Sequence, residues 1–310
     1  MTKRLVIVGG SYAASELAVS ARANGYDDEV VILTDEGELP YHRPPLSKAY
    51  LLGTDDTALP LKSEQFYIDH RIEVRLNSRV TSADKRSMSV QIAEDDTLSF
   101  TDLALTVGAS ARTLPGAEFS NVFYLRSLRD ASRLKKAAAG ARQVAIIGGG
   151  FIGLEVASAL VQQGCQVTVL ESCGNILTRV VAPVMADFFL SAHRARGVEV
   201  RTRIQIARIL GDHGVAKAIF LEDGSSVGAD IIVIGIGSVP NRELADALNL
   251  DVRNGIFVDS ASRTSCENVY AAGDCTFFRS PFAPSGIRLE SVQNAVDLSG
   301  VSASETDLAA

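Results

Sequence analysis

Two stretches of the chain repeat one succession of apolar and small residues. Residues 4–26, "RLVIVGGSYAASELAVSARANGY", precede "EVVILTDE", and residues 142–165, "RQVAIIGGGFIGLEVASALVQQGC", precede "QVTVLES". Each stretch opens with a run of aliphatic residues, which is typical of a strand buried on both faces of a parallel sheet. A glycine turn comes next, and then a segment whose apolar residues recur at helical spacing. The pattern predicts an α/β fold with two Rossmann-like dinucleotide-binding domains.

The second repeat carries the complete glycine pattern, Gly148, Gly150 and Gly153. A dinucleotide's pyrophosphate must approach the backbone N–H groups at a helix N-terminus, so side chains there must be absent or very small. Glu171 closes the next strand, where a carboxylate can accept hydrogen bonds from the ribose hydroxyls. Because the same carboxylate would repel a 2′-phosphate, the sequence predicts NADH rather than NADPH.

The first repeat departs from this pattern at one position. It contains Gly9, Ser11 and Ala14, with Asp35 near the end of the second strand. Alanine is an accepted substitute for the third glycine, but Ser11 adds a Cβ where the pyrophosphate comes closest. Two interpretations stay open: a dinucleotide site with looser binding or a shifted loop, and a strand–helix turn without a ligand.

Residues 38–51, "ELPYHRPPLSKAYL", form a proline-rich segment with a single lysine, Lys48, after the last proline. Proline fixes φ and biases the residue before it toward extended conformations, so residues 43–45 are predicted to form a stiff, polyproline-like rod. Ser47 then stands where an N-cap would, before Lys48. Lys48 is either a deliberately placed cation or a solvated lysine at a helix start. A proline-rich ligand for a peptide-binding domain is a further possibility.

Composition narrows the function classes. A formal net charge of −7 over 310 residues argues against a nucleic-acid-binding protein. The four cysteines form neither a C-x-x-C nor a zinc pattern, which indicates no metal site and a reducing compartment, the cytoplasm. The N-terminus lacks the features of a signal peptide. Residues 144–161 are apolar enough to suggest a membrane span, but consecutive glycines and Glu155 favour a strand–turn–helix unit instead.

The order of the motifs predicts an interrupted domain. Residues 1–112 and 246–310 are predicted to form the first domain, and residues 113–245 the second. The sequence does not determine the oligomeric state.

Six segments carry a family resemblance: "LPYHRPPLSKAYL", "YLRSLRDA", "IIGGGFIGLEVA", "GIGSVPN", "NVYAAGDC" and "RLESVQNA". In this order the chain resembles the NADH-dependent ferredoxin reductases of bacterial oxygenase systems, the putidaredoxin- and rubredoxin-reductase-like flavoproteins. The resemblance implies FAD and NADH as cofactors, and a [2Fe–2S] ferredoxin or a rubredoxin as electron acceptor. Members continue past the segment matching "RLESVQNA" into a third domain, so the resemblance also implies a chain without that interface domain.

The resemblance assigns roles to individual residues. Lys48 would lie beside the flavin ring and pair with Glu155, although a glutamate in the first turns of a helix is also favoured by the helix dipole alone. Asp274, after Gly273, would hold the ribityl hydroxyls, or it is a simple turn aspartate. The remaining FAD contacts implied are Ala13, Asp35, Arg43, Val80, Arg126 and Val292, and "GIGSVPN" adds Gly235 and Gly237 to the NAD site. The basic residues between 126 and 142 form either a solvated helical face or a surface for an acidic ferredoxin.

Two hypotheses of different classes remain. The first is an FAD enzyme that accepts hydride from NADH and passes single electrons to the iron protein, through the flavin rather than a thiol because no closely spaced cysteine pair is present. The alternative is a non-catalytic dinucleotide-binding protein, a redox sensor or pseudoenzyme, which Ser11 and the missing third domain motivate.

Overall fold

The computed structural model describes residues 3–53, 59–93 and 96–304. The elements of the first part of the chain are β1 (Arg4–Val8), α1 (Tyr12–Ala23), β2 (Glu29–Leu33), a 3₁₀ helix (Pro44–Ser47), α2 (Ala49–Leu52), α3 (Glu64–Asp69), β3 (Ile72–Arg75), β4 (Val80–Asp84), β5 (Ser89–Ile92), β6 (Asp96–Ser99), β7 (Asp102–Leu105) and β8 (Ala109–Ala111). Those of the middle part are β9 (Val122–Tyr124), α4 (Leu128–Ala138), β10 (Gln143–Ile147), α5 (Phe151–Gln162), β11 (Gln166–Leu170), α6 (Pro183–Ala195), β12 (Glu199–Arg201), β13 (Ile206–Asp212), β14 (Val215–Leu221), β15 (Ser226–Gly228), β16 (Ile231–Ile234) and β17 (Ser238–Pro240). Those of the last part are α7 (Glu243–Ala247), β18 (Ile256–Val258), β19 (Val269–Ala271), β20 (Thr276–Ser280), β21 (Ala283–Ile287) and α8 (Val292–Ser304).

The chain divides into two compact units. Unit 1 contains Met1–His42, Ala58–Ser110 and Pro240–Ala310, and unit 2 contains Arg43–Thr57 and Ala111–Val239. Residues 43–57 therefore belong to unit 2, whereas the motif order predicts them in the first domain; the predicted domain bounds stay a prediction. The reason is tertiary: the 3₁₀ helix and α2 pack against α4 and α5 of unit 2.

Unit 1 is built on a parallel sheet with the strand order β19-β7-β1-β2-β3. Its strands other than the edge strand β3 are largely buried on both faces, so neighbouring residues of β1 enter opposite cores. Leu5 and Ile7 pack toward α1, while Val6 and Val8 pack toward the antiparallel β4-β5-β6 sheet and α7. This two-sided burial is why the strand reads as a continuous aliphatic run rather than an alternating one. A second small sheet, β18-β20-β21, and helix α8, which packs on α1, complete the unit.

Unit 2 repeats the same arrangement with the strand order β12-β11-β10-β16-β9. Strand β10 lies in the centre between β11 and β16, as β1 lies between β2 and β7 in unit 1. A three-stranded antiparallel sheet, β13-β14-β15, covers part of its core. The predicted α/β class with two Rossmann-like units is confirmed.

The proline-rich segment differs from the predicted rod. Pro44 and Pro45 open a 3₁₀ helix, and Arg43 before them is helical, with φ −77° and ψ −34°. Proline at the start of a helical turn costs no hydrogen bond and fixes a helical φ, and this outweighs the extended bias of the preceding residue. Ser47 closes this turn, and Lys48, not Ser47, is the N-cap of α2.

Over the three described ranges, no helix has both the length and the apolar character that a membrane span requires. The same residues contain no group of three or more histidine, cysteine, aspartate or glutamate side chains that could hold a metal ion.

Candidate functional site

The glycine turn of unit 2 joins β10 to α5, and protein packing explains two of its glycines. Gly148 has φ +105°, and a Cβ there would lie 2.4 Å from the carbonyl oxygen of Gly235. A Cβ on Gly153 would lie 2.3 Å from the carbonyl oxygen of Gly148. Both distances are far below a van der Waals contact, so these two positions must be glycine for the turn to close against β16.

Gly150 is different, because nothing in the unit demands a glycine there. Its backbone, φ −82° and ψ 179°, is open to any residue, and a Cβ would meet only the Gly235 oxygen at 3.9 Å. Gly150 is the N-cap of α5, so the missing side chain leaves the helix N-terminus open from outside. An open N-terminus with free access to backbone N–H groups fits the pyrophosphate of a dinucleotide.

Glu171 comes directly after β11 and reaches back to this turn. Its Oε2 accepts the Gly149 N–H at 2.6 Å, and its Oε1 accepts the Cys173 N–H at 2.7 Å. The carboxylate is thus fixed by backbone donors beside the open helix end. Oε1 also accepts the Ser172 hydroxyl at 3.3 Å. Because each carboxylate oxygen has two lone pairs, Oε2 keeps acceptor capacity for a further donor such as a ribose hydroxyl.

The two glycines of "GIGSVPN" lie just beyond β16. Gly235 donates its N–H to the Ile147 oxygen at 2.8 Å, and a Cβ on it would lie 3.4 Å from the Gly153 nitrogen. Gly237 has φ +110°, which favours glycine, and its oxygen accepts the Arg112 N–H at 2.9 Å. Gly235 therefore belongs to the packing of the glycine turn, while Gly237 shapes the next loop.

A charged cluster lies elsewhere in unit 2, between the 3₁₀ helix and α5. The Lys48 Nζ lies 2.8 Å from Glu155 Oε2, and it also donates to the Pro44 oxygen at 3.1 Å. The Ser47 hydroxyl donates to the same Glu155 Oε2 at 2.5 Å. The pair of Lys48 and Glu155 that the family resemblance implies is present in the structure. The sequence pattern does not reveal Ser47 as a partner of Glu155, because it predicts a helix cap for this hydroxyl.

Arg43 and Arg126 are also brought together in unit 2. The Arg43 guanidinium donates to the Arg126 backbone oxygen at 3.1 Å. Arg126 precedes α4, whose N-terminus is closed by a capping box between Ser127 and Asp130. Along α4, Arg129, Arg133 and Lys136 are exposed, and Lys135 lies over the Tyr50 ring at 4.9 Å.

The glycine turn of unit 1 joins β1 to α1. Gly9 has φ +127°, and a Cβ there would lie 2.2 Å from the Thr106 oxygen. A Cβ on Gly10 would lie 2.3 Å from Thr34 Oγ1. Ser11 occupies the position that corresponds to Gly150: it is the N-cap of α1 in extended conformation, with φ −141° and ψ −160°. A side chain fits at Ser11 because the close packing of this turn falls on Gly9 and Gly10. The turn of unit 2 is likewise packed closely at other positions and open at Gly150. Ala14 is fully buried, where a small residue lets helix and sheet approach.

The later segments of unit 1 return to this turn. Gly273 has φ +86°, and a Cβ on it would lie 3.2 Å from the Ala13 Cβ. Ala13, Ala272 and Ala295 form one buried cluster, so the chain around Gly273 and Asp274 lies against the start of α1. Val292 is the first residue of α8 and is 39% exposed. Its helix N-terminus is partly satisfied by Ser291 Oγ, which accepts the Asn294 N–H at 3.1 Å.

Asp35 and Val80 lie elsewhere in unit 1. Asp35 is exposed after β2, and Val80 is the first residue of β4. In the described part of the chain neither makes a hydrogen bond to the turn at residues 9–14. The strand pairing explains the position of Asp35: β1 and β2 end in register at Leu33, as β10 and β11 end at Leu170. Thr34 therefore occupies the place of Glu171, and Asp35 lies one residue further on. This offset could have been found in the sequence by counting equal lengths for the paired strands β1 and β2, as for β10 and β11.

Burial limits the reactivity of Cys275, the residue next to Asp274. All four cysteines are free, and Cys275 is completely buried. Burial raises the pKa of the Cys275 thiol to about 12, so it stays protonated at neutral pH. Because the thiolate is the reactive form, Cys275 is not a redox nucleophile.

Comparison with known proteins agrees with this geometry. The model of the pyridine nucleotide-disulphide oxidoreductase family matches residues 3–298. The chain belongs to this family. A rubredoxin-NAD(+) reductase from Pseudomonas putida is 40% identical over 303 residues, 97% of this chain and 79% of that protein.

Solved structures of the family extend the comparison. The covalent putidaredoxin reductase–putidaredoxin complex superposes with a TM-score of 0.92 at 34% identity, covering 97% of this chain and 74% of that chain. The ferredoxin reductase for the CYP199A2 system from Rhodopseudomonas palustris gives a TM-score of 0.94 at 34% identity, covering 97% and 75%. The resemblance to NADH-dependent ferredoxin reductases is confirmed, as are the oxidoreductase class and the cofactors FAD and NADH.

Proposed function

We propose that this chain takes hydride from NADH and passes single electrons to a [2Fe–2S] ferredoxin or a rubredoxin, as the reductase component of an oxygenase electron-transfer chain. The observation that supports this most directly is the pair of glycine turns, one in each unit, each ending at a helix N-terminus. The open position at Gly150 fits a bound dinucleotide, since no packing inside the unit requires a glycine there. Relatives named as rubredoxin and ferredoxin reductases supply the acceptor class.

Each unit is assigned one dinucleotide. The residues assigned to FAD are Gly9, Ser11, Ala13, Ala14, Asp35, Arg43, Lys48, Val80, Arg126, Gly273, Asp274 and Val292. Unit 2 holds NADH, through Gly148, Gly150, Gly153, Glu171, Gly235 and Gly237. In unit 2 the carboxylate of Glu171, fixed by two backbone N–H groups, favours a ribose with free hydroxyls over a 2′-phosphate because like charges repel.

Bound FAD would accept electrons as a pair and release them singly, which is the chemistry that links NADH to an iron centre. The residues of the chain provide charge and position. The Lys48 ammonium would stabilise the negative charge brought by hydride, because a preorganised charge of this kind needs no reorganisation during the reaction. Glu155 holds the ammonium at 2.8 Å. The protonated Cys275 thiol takes no part in electron transfer.

We place the protein in the cytoplasm. The support is chemical: all four cysteines are free thiols, and Cys173 is exposed. Exposed thiols persist in a reducing compartment. The ferredoxin or rubredoxin acceptor is placed in the same compartment.

The proposed function is tested by recording the visible absorption spectrum of the purified protein, before and after adding NADH without oxygen. The expected result is a flavin spectrum that bleaches with NADH and recovers when an iron–sulfur or rubredoxin acceptor is added. Gly150→Glu is expected to keep the flavin spectrum and lose bleaching, because the new side chain fills the space of the pyrophosphate. A colourless protein that FAD does not restore, or loss of flavin in Gly150→Glu, contradicts the assignment of the two glycine turns.

A further inference from the structure

Two donors from consecutive residues converge on one oxygen of Glu155. The Ser47 hydroxyl donates to Oε2 at 2.5 Å, and the Lys48 Nζ lies 2.8 Å from the same oxygen. The other carboxylate oxygen, Oε1, has no hydrogen bond or ion pair among the residues that the structure describes. Ser47 and Lys48 are therefore what hold this carboxylate in place.

The two donors differ in how firmly they can hold it. The Lys48 side chain is 50% exposed, whereas the whole Ser47 residue is 6% exposed. A half-exposed lysine has a long, flexible side chain and is screened by water, so an ion pair of this kind alone fixes one geometry weakly. A buried hydroxyl has few alternatives: within the described ranges the only other acceptor near Ser47 Oγ is the Pro44 oxygen, at a distance of 3.5 Å, where a hydrogen bond is marginal.

We propose that Ser47 is a positioning residue of the Lys48–Glu155 pair, whose buried hydroxyl fixes the Glu155 carboxylate and thereby the place of the Lys48 ammonium. The backbone supports this arrangement. Ser47 ends the 3₁₀ helix and Lys48 is the junction with α2, with φ −127° and ψ −106°. The two side chains are thus presented from a turn that Pro44 and Pro45 stiffen, which explains a rigid, proline-rich approach to a single lysine. The value of this for hydride transfer rests on the proposed function, but the positioning itself does not.

The first experiment measures the chemical reactivity of Lys48 and needs no turnover. Purified protein, with and without added FAD, is treated with trace acetic anhydride, and mass spectrometry gives the labelling rate of each lysine. Because the carboxylate loses its firmer donor, Ser47→Ala is expected to label Lys48 about two- to fivefold faster, toward the rate in Glu155→Gln. Ser47→Thr, which keeps the hydroxyl, is expected to restore the slow rate.

A matched control removes a hydroxyl of the same kind elsewhere in unit 2. The Thr168 hydroxyl donates to a Glu199 carboxylate oxygen at 3.0 Å, and Thr168→Val removes that hydrogen bond at nearly constant shape. Thr168→Val is expected to leave the Lys48 rate unchanged, and the other lysines serve as an internal reference for unfolding. Wild-type labelling of Lys48 in Ser47→Ala, or equal acceleration in Thr168→Val, overturns the proposal.

The second experiment asks whether Ser47 acts through Glu155. The rate of flavin reduction by NADH is followed by stopped flow in protein loaded with FAD, for Ser47→Ala, Glu155→Ala and the double variant. Ser47→Ala is expected to slow reduction about tenfold at unchanged flavin content, with no further loss in the Glu155→Ala background. Equal slowing in both backgrounds refutes positioning through Glu155. If wild-type flavin is not reduced by NADH at all, the proposed function fails, while the labelling experiment still decides the role of Ser47.

Discussion

Gly150→Ala separates the part of the glycine turn that packing needs from the part that a ligand needs. The new methyl group would lie 3.9 Å from the Gly235 oxygen and meet nothing else, and φ −82° suits alanine. The free energy of unfolding therefore falls only by the cost of a weaker N-cap, about 0.5–1 kcal/mol. The same change at Gly153 puts a methyl group 2.3 Å from the Gly148 oxygen, and such overpacking costs about 1–3 kcal/mol or more.

For NADH binding, Gly150→Ala is expected to be the more damaging of the two variants, the reverse of their order for stability. In Gly150→Ala the methyl group occupies the approach of the pyrophosphate to the α5 N-terminus. Loss of one charge-assisted hydrogen bond costs about 1.5–3 kcal/mol, which raises the Kd for NADH about 10- to 150-fold. Gly140→Ala is the matched control, because a Cβ there meets nothing within 4 Å and Gly140 lies outside both glycine turns.

The assay combines thermal denaturation with calorimetric titration of NADH under anaerobic conditions. Gly150→Ala is expected to melt near wild type and bind NADH weakly, and Gly140→Ala to match wild type in both measurements. Gly153→Ala is expected to melt several degrees lower, at about 2–4 °C per kcal/mol. If folded Gly150→Ala binds NADH as tightly as wild type, the helix N-terminus is not the pyrophosphate site and the argument from open space is wrong.

Three further outcomes are expected. Ser11→Gly should tighten FAD binding severalfold in a flavin-fluorescence titration, because it removes a Cβ from the α1 N-terminus. The weaker N-cap costs only a few tenths of a kcal/mol of stability, and weaker FAD binding would contradict the prediction. Lys48→Met should slow flavin reduction by NADH about tenfold or more at constant flavin content. Lys136→Met, on the exposed face of α4, should not slow it, and equal rates in the two variants would show that Lys48 does not act in flavin reduction. Since the folded pKa of Cys275 is raised, its contribution to stability is complete below the unfolded pKa of about 8.5 and is lost as pH rises toward about 12. The free energy of unfolding, measured by denaturation, should fall with pH in this range, and Cys275→Ala should make that fall shallower; an unchanged slope would refute this.

The amino-acid sequence is sufficient to predict the two Rossmann-like units. Aliphatic runs such as residues 144–147 that end at a glycine turn predict a strand buried on both faces, and the helical spacing after each turn predicts a helix that packs back on the sheet. The glycine pattern was readable for the same reason, because Gly148 and Gly153 are demanded by contacts within a few residues or with the adjacent strand. Local geometry and parallel pairing left little choice, so the fold class and the two glycine turns were predictable.

The arrangement of Ser47, Lys48 and Glu155 depends on long-range packing. Ser47 and Glu155 lie 108 positions apart along the chain, and no local rule predicts that a hydroxyl suited to a helix cap donates to a distant carboxylate instead. The proline segment likewise became a 3₁₀ helix, and it joined unit 2, because its packing against α4 and α5 outweighs local preference. Local propensities differ by about 1 kcal/mol or less between such alternatives, whereas burying an apolar side chain is worth about 1.5–3 kcal/mol, so long-range packing makes the final choice.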